Sequence, residues 1–255
     1  MIDRSPLDQL TRLLAIMARL RDPEHGCEWD VAQSFETIAA YTIEEAYEVA
    51  DAIDRADMVD LCGELGDLLL QVVFHARMAE EAGHFTFADV AQTIADKMEK
   101  RHPHIFGDEG GVMDGKRWED IKAVERVSNG ADSAMDGVAR ALPALMRAQK
   151  LQNRAARDGF DWPDRDGPAA KLVEEMNELR EASGEEQLED AGDLLFAAVN
   201  LVRAYGVAPE DALRAANAKF ERRYRGMEAL ADGRFAELGL DEQEALWQLV
   251  KKHED

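Results

Sequence analysis

Glu44-Glu45-Ala46-Tyr47-Glu48 followed by Glu64-Leu65-Gly66-Asp67-Leu68-Leu69, and again Glu174-Glu175-Met176-Asn177-Glu178 followed by Asp190-Ala191-Gly192-Asp193-Leu194-Leu195, are the stretches on which the fold of this chain turns. On a helix, residues one, three and four apart share a broad face, so each Glu-Glu-x-x-Glu projects three carboxylates into one region. The second element of each pair places its two acids three apart beside an apolar stripe, Leu61, Leu65, Leu68 and Val72 in the first copy. The repeat continues outward in the same order. Lys97-Met98-Glu99-Lys100-Arg101 returns as Lys219-Phe220-Glu221-Arg222-Arg223, and Trp118 with Lys122 returns as Trp247 with Lys251. From the third Glu to the last Asp the spacing is 19 residues in the first half and 15 in the second, a difference that about one helical turn absorbs.

Helical periodicity runs from end to end, and no stretch of strict apolar and polar alternation is long enough for a strand. The expected fold is all-α: two tandem four-helix-bundle-like units, residues 1–127 and 137–255, separated by the glycine and short polar residues between Ser128 and Gly137. Ser5-Pro6 opens a first helix, and Thr42 with Glu45 reads as a capping box for a helix from Ile43 to Ile53. Helices are expected over 59–82, stopping at Gly83, and over 87–101, stopping before Pro103. In the second half they are expected over 143–157, 168–182, 186–205, 209–230 and 241–253, three of them opened by proline. Mid-helix Gly66 and Gly192 read as points where the carboxylate helices approach closely, because glycine there costs about 1 kcal/mol relative to alanine.

The net charge of −23 repels a long polyanion, so a nucleic acid polymer is not an expected partner. No apolar run approaches the ~20 residues of a membrane span, and residues 1–9 carry Asp3, Arg4 and Asp8 rather than a signal sequence. Two cysteines, Cys27 and Cys62, fit a reducing cytoplasm. A small anion can approach an acidic pocket when divalent cations neutralise both sides.

Carboxylates gathered from two packed helices at a core edge suffer desolvation and mutual repulsion, and hard divalent cations compensate both. Magnesium keeps several waters, leaving positions for phosphate oxygens, and lowers the pKa of a bound water; manganese is the alternative ion. Lys97 and Arg101, four apart, can grip a polyphosphate, and Trp118 can stack on a base or ribose.

These residues resemble the MazG nucleotide pyrophosphohydrolases, whose pattern is a Glu-Glu-x-x-Glu helix followed by a Glu-x-x-Asp helix. Three further segments extend the similarity: Cys27-Glu28-Trp29-Asp30, the basic cluster ahead of His102-Pro103-His104, and Gly159-Phe160-Asp161-Trp162. The resemblance implies hydrolysis of a (deoxy)nucleoside triphosphate between its α and β phosphates, magnesium, and a homodimer. It implies metal ligands Glu45, Glu48, Glu64 and Asp67 in the first unit and Glu175, Glu178, Asp190 and Asp193 in the second. The candidates for activating water are Glu45 and Glu48 and their counterparts Glu175 and Glu178, with Glu45 and Glu175 placed first and Glu44 and Glu174 facing the substrate beside them. Lys219, Arg223, Trp247 and Asn200 would contact nucleotide. Asp190 stands where the pattern has Glu and reaches ~1.5 Å less; Glu28 stands where the family has proline. The second unit, with Asn200 and the Lys219 to Arg225 stretch, is the expected working site.

Two other classes fit the acidic pattern. A di-iron oxidoreductase bundle uses Glu-x-x-His, the spacing of Glu99 and His102, although Tyr224 replaces the histidine in the other half. A non-enzymatic metal-binding scaffold would use the same carboxylates without turnover. In a chain with 53 acidic residues a single Glu-Glu-x-x-Glu is ordinarily a solvated helix face, and it is the ordered repetition that argues for a site.

Overall fold

The computed structural model describes residues 5–108 and 110–254. Among the described residues there is no strand, and the all-α architecture expected from periodicity is present. The chain divides into two compact units, Met1–Ile121 and Lys122–Asp255. The division lies inside a helix, whereas composition suggests the glycine-containing segment that follows it.

The first unit contains α1 (Pro6–Leu20), α2 (Glu28–Val31), α3 (Phe35–Asp54), α4 (Met58–Glu81), α5 (Phe87–Arg101), α6 (Pro103–Phe106) and the start of α7 (Gly115–Ser128). Helix α4 is its centre, with α1, α3 and α5 packed on it. Met17 of α1, Ile38 of α3, and Val73, Phe74 and Met78 of α4 form the buried cluster, joined by Leu13, Leu14, Leu70 and Phe87. Each such side chain contributes about 1.5–3 kcal/mol through removal from water. Arg21, at the end of α1, is buried and donates from Nε and a terminal nitrogen to the Glu81 carboxylate, the shortest contact being 2.7 Å. The pair ties the end of α1 to the end of α4.

Helix α3 starts earlier than the Thr42–Glu45 pattern indicates. Its capping box is Ser34 with Thr37: the Ser34 hydroxyl accepts from the Thr37 N–H and the Thr37 hydroxyl accepts from the Ser34 N–H. Thr42 lies mid-helix, donating to the Ile38 carbonyl and meeting His75 Nε2 at 3.1 Å. At the third helical position Thr37 does the work usually given to Glu or Gln, which hid the true start.

The second unit contains α8 (Ala144–Arg157), α9 (Asp166–Glu181), α10 (Glu186–Ala204), α11 (Pro209–Leu230), a short 3-10 turn (Phe235–Glu237) and α12 (Leu240–Glu254). Helix α10 packs on α8 and α9, while α11 packs on α8 and α12. Of the three prolines expected to open helices, Pro209 does so. Pro143 caps α8 and Pro168 sits buried within the first turn of α9. No single described helix is long and apolar enough to cross a membrane.

Candidate active site

In the first unit the helical register of α3 and the pairing of α3 with α4 bring Glu45, Glu48 and Glu64 together. One carboxylate oxygen from each lies within 4.8 Å of the others. Glu45 and Glu64 are half-buried and Glu48 is exposed. Burial first, then the charges of Asp67 and Glu48, pushes the Glu45 carboxyl above its ordinary value; burial and Glu48 do the same to Glu64. Asp67 is near enough to act on Glu45 but lies outside the tight group. Three crowded carboxylates form an all-oxygen donor set, which suits a hard divalent ion. The group holds no histidine, and His102 directs its Nδ1 to the Met98 carbonyl at 2.7 Å, so Glu99-x-x-His102 has helix-end geometry.

The second unit arranges its acids differently. Glu175 is buried, with only 4% of its surface exposed, and its Oε1 lies 2.6 Å from Lys171 Nζ. Lys171 also reaches Glu174 at 2.7 Å. Lys171 holds the Glu175 carboxyl below its ordinary value, while the hydrogen bond between Glu175 and Glu178, together with burial, holds Glu178 above its own. Asp190 and Asp193 do not complete a group with these acids comparable to that of the first unit. The reason is local: four residues before the second glutamate, α3 has Tyr41 and α9 has Lys171, which supplies the compensating charge from the chain itself. Lysine four before a glutamate looks like an ordinary surface pair, and the sequence alone does not mark Lys171 as part of the site.

A cavity of about 560 Å³ opens beside Glu175. Its polar lining comes from Lys171, Glu175, Asp193, Asn200, Arg203 and Gln152, and Phe160, Trp162 and Phe196 contribute apolar surface. Trp162 is seated at the start of α9 against Gly167, where an added Cβ would fall 1.9 Å from indole Cδ1. Asn200, buried in α10, accepts at Oδ1 from Arg203 Nε (3.1 Å) and a terminal Arg203 nitrogen (2.6 Å). Arg203 also meets Asp161 at 2.7 Å, fixing the loop that bears Phe160 and Trp162. At the position in α4 that matches Asn200, the first unit has Phe74, buried in its core.

The basic and aromatic residues expected to hold nucleotide form a repeated pair of their own. Arg101 lies over the Trp118 ring at 5.3 Å, and Arg223 lies over Trp247 at the same distance. Lys97 is half-buried on α5, whereas Lys219 is exposed on α11. Arg223 is further engaged by Glu254 at 2.7 Å. None of Lys219, Arg223 and Trp247 lines the cavity. Helix α11 bends from α10 by 102° and packs on α8 and α12. Glu44 is exposed. Gly66 and Gly192 are not points of close approach: a Cβ on either would meet nothing within 4 Å.

Bundles of paired acidic helices, built twice in one chain, define an all-α carboxylate-site protein. Residues 33–106 match the MazG nucleotide pyrophosphohydrolase domain and residues 145–220 match phosphoribosyl-ATP pyrophosphohydrolase. The chain belongs to the MazG nucleotide pyrophosphohydrolase family. It is 50% identical over 260 residues to a nucleoside triphosphate pyrophosphohydrolase of Escherichia coli (strain K12), spanning 97% of this chain and 99% of that protein. A Thermotoga maritima nucleoside triphosphate pyrophosphohydrolase/pyrophosphatase is 45% identical over 243 residues, spanning 94% of each chain. A nucleoside triphosphate pyrophosphohydrolase of Mycolicibacterium smegmatis is 36% identical over 159 residues, covering 61% of this chain and 48% of that protein.

Proposed function

We propose that this protein hydrolyses nucleoside triphosphates between the α and β phosphates, releasing a nucleoside monophosphate and pyrophosphate, with Mg2+ held by the helical carboxylates. The observation that carries the reading is the convergence of Glu45, Glu48 and Glu64 on one small volume, in a chain whose full-length relatives bear the name of this activity.

Glu45, Glu48, Glu64 and Asp67 would hold the ion in the first unit, and Glu175, Glu178, Asp190 and Asp193 in the second. Bound there, the ion neutralises phosphate charge and acidifies a water molecule. Glu45 or Glu175 accepts the proton lost by the attacking water at a carboxylate oxygen. Lys171, already beside Glu175, offers an ammonium to phosphate when a cation takes its place. The cavity bounded by Trp162 and Asn200 gives the second unit room for a nucleoside, which supports that unit as the working site. Lys219, Arg223 and Trp247, and Lys97, Arg101 and Trp118 in the first unit, remain candidates for the polyphosphate and ribose.

The reading carries with it a cytoplasmic homodimer. Exposed Leu65, Leu69 and Val72 on α4, and Leu195 and Phe196 on α10, leave apolar surface on the carboxylate helices that a second copy would cover. Free Cys27 and Cys62 agree with a reducing compartment. The test is product analysis with purified protein. Pyrophosphate released in equal amount with nucleoside monophosphate, dependent on added Mg2+ and abolished by chelator, is the expected result. Orthophosphate with nucleoside diphosphate, or no turnover in Mg2+ or Mn2+, would overturn it.

A further inference from the structure

Gln152 is 5% exposed and lies on the face of α8 that packs against α10. Its Nε2 donates to the Phe196 carbonyl at 2.8 Å. A carbonyl only accepts, so this contact fixes which end of the amide is which, and Oε1 is left buried without a hydrogen-bond partner. A buried acceptor in this condition is costly and has capacity for a donor. Asn200 is fixed in the opposite sense. Guanidinium only donates, so Arg203 captures Oδ1, and Nδ2 is the group that Asn200 has left to offer the cavity it lines.

The two amides are neighbours. Phe196 is one helical turn before Asn200, so the carbonyl that anchors Gln152 is the one to which the Asn200 backbone N–H is directed. Both residues line the cavity, Gln152 with an acceptor that has no partner and Asn200 with a spare donor, and the Trp162 and Phe160 rings are also on its wall.

We propose that Gln152 Oε1 and Asn200 Nδ2 form a nucleobase subsite that reads the one feature all the common bases share, a hydrogen-bond donor beside an acceptor. Adenine and cytosine present an exocyclic amine next to a ring nitrogen; guanine, uracil and thymine present a ring N–H next to a carbonyl. The pair therefore admits every common base and rejects a ring without a donor. This rests on the nucleotide reading above and adds the residues that recognise the base, while Arg203 and Asp161 act as positioning residues through Asn200.

The test is calorimetric titration of the full chain with nucleoside 5′-monophosphates, a measurement independent of turnover. Adenosine monophosphate is compared with purine riboside monophosphate, which lacks the amine, and uridine monophosphate with its N3-methyl derivative. Wild-type protein is expected to bind each donor-less analogue about tenfold or more weakly than its parent, the scale of one uncompensated buried acceptor. In Gln152→Met, close in shape but without the acceptor, each pair should bind within about twofold. Asn200→Asp keeps an oxygen for Arg203 and loses the donor, so it should weaken all four ligands. Equal binding of parent and analogue by wild type, discrimination retained in Gln152→Met, or no binding of any monophosphate would each overturn the proposal. Pyrophosphate release, assayed separately, reports on the hydrolase reading: a protein that discriminates but does not hydrolyse refutes that reading alone.

Discussion

Lys171 Nζ lies 2.6 Å from Glu175 Oε1, so the buried acid of the second unit has a cation of the chain's own beside it. A divalent ion entering that site competes with an ammonium already in place, whereas at the matching position of the first unit Tyr41 brings no charge.

Lys171→Met is therefore expected to lower the melting temperature of the protein in chelator, because it strands a buried carboxylate. The rise in melting temperature on adding Mg2+ should become larger than in wild type, since the ion then supplies all the compensation. Thermal scans with and without metal measure both; an unchanged metal increment would show that Lys171 does not compete.

Glu45→Gln should act in the reverse direction. The raised carboxyl of Glu45 means that its charged form is disfavoured in the folded protein. Its charge therefore opposes folding: the penalty sets in as pH rises past the ordinary glutamate value, is complete above the raised folded value, and vanishes as pH falls below the ordinary value. At neutral pH without metal the glutamine variant should slow hydrogen exchange in α3 and α4 relative to wild type. The protection that Mg2+ adds to those helices should be lost.

Glu48→Gln and Glu178→Gln, assayed separately for pyrophosphate release, should lose activity unequally, because one unit clusters its acids and the other joins its acids to a cavity and an internal lysine. The larger loss is expected in Glu178→Gln. Equal partial losses would mean that both units turn over alike.

Arg21→Met should destabilise the first unit by about 1–3 kcal/mol, because it removes the charge-assisted hydrogen bonds from Arg21 to Glu81 and to the Asp30 and Gln33 carbonyls, while Glu81 stays partly solvated and keeps Arg77. Urea unfolding measures it. Despite the opposing effect of burial, hydrogen bonds from Arg21 and Arg77 hold Glu81 below its ordinary value. The stability from that pairing is full above the ordinary glutamate pKa and is lost as pH falls through the lowered folded value. The difference between wild type and variant should shrink below about pH 4.

Gly167→Ala should displace the Trp162 indole, given a 1.9 Å approach of the new methyl to Cδ1. A shift in tryptophan emission with a raised KM and a smaller change in kcat is the expected signature; unchanged KM would remove Trp162 from the substrate's path.

The tandem repeat and the carboxylate helices were legible because periodicity and order survive in the sequence even where identities drift. Register puts Glu45 and Glu48 on one face of their helix and Glu64 beside an apolar stripe of the next, and the family resemblance joins them into one set. Two readings failed for physical reasons. Thr42 and Glu45 imitate a cap because a threonine three before a glutamate also occurs on an uninterrupted helix, where its hydroxyl turns back to the Ile38 carbonyl. The glycines before Asp67 and Asp193 suggested helix contact, but their surroundings within one chain are open. Gln152 left a trace that periodicity can detect: it falls in the apolar register of Leu145 and Ala148 on α8, where a polar residue is out of place. Arg203 and Lys171 left none, since their roles depend on partners from other turns and loops.

Phe74 and Asn200 occupy matching places in two copies of one design, a ring in one and a carboxamide in the other. A duplicated bundle need not ask both halves for the same compromise. The half with the ring gains cohesion by filling its interior, while its sibling gives up that packing for a polar group beside an open cavity.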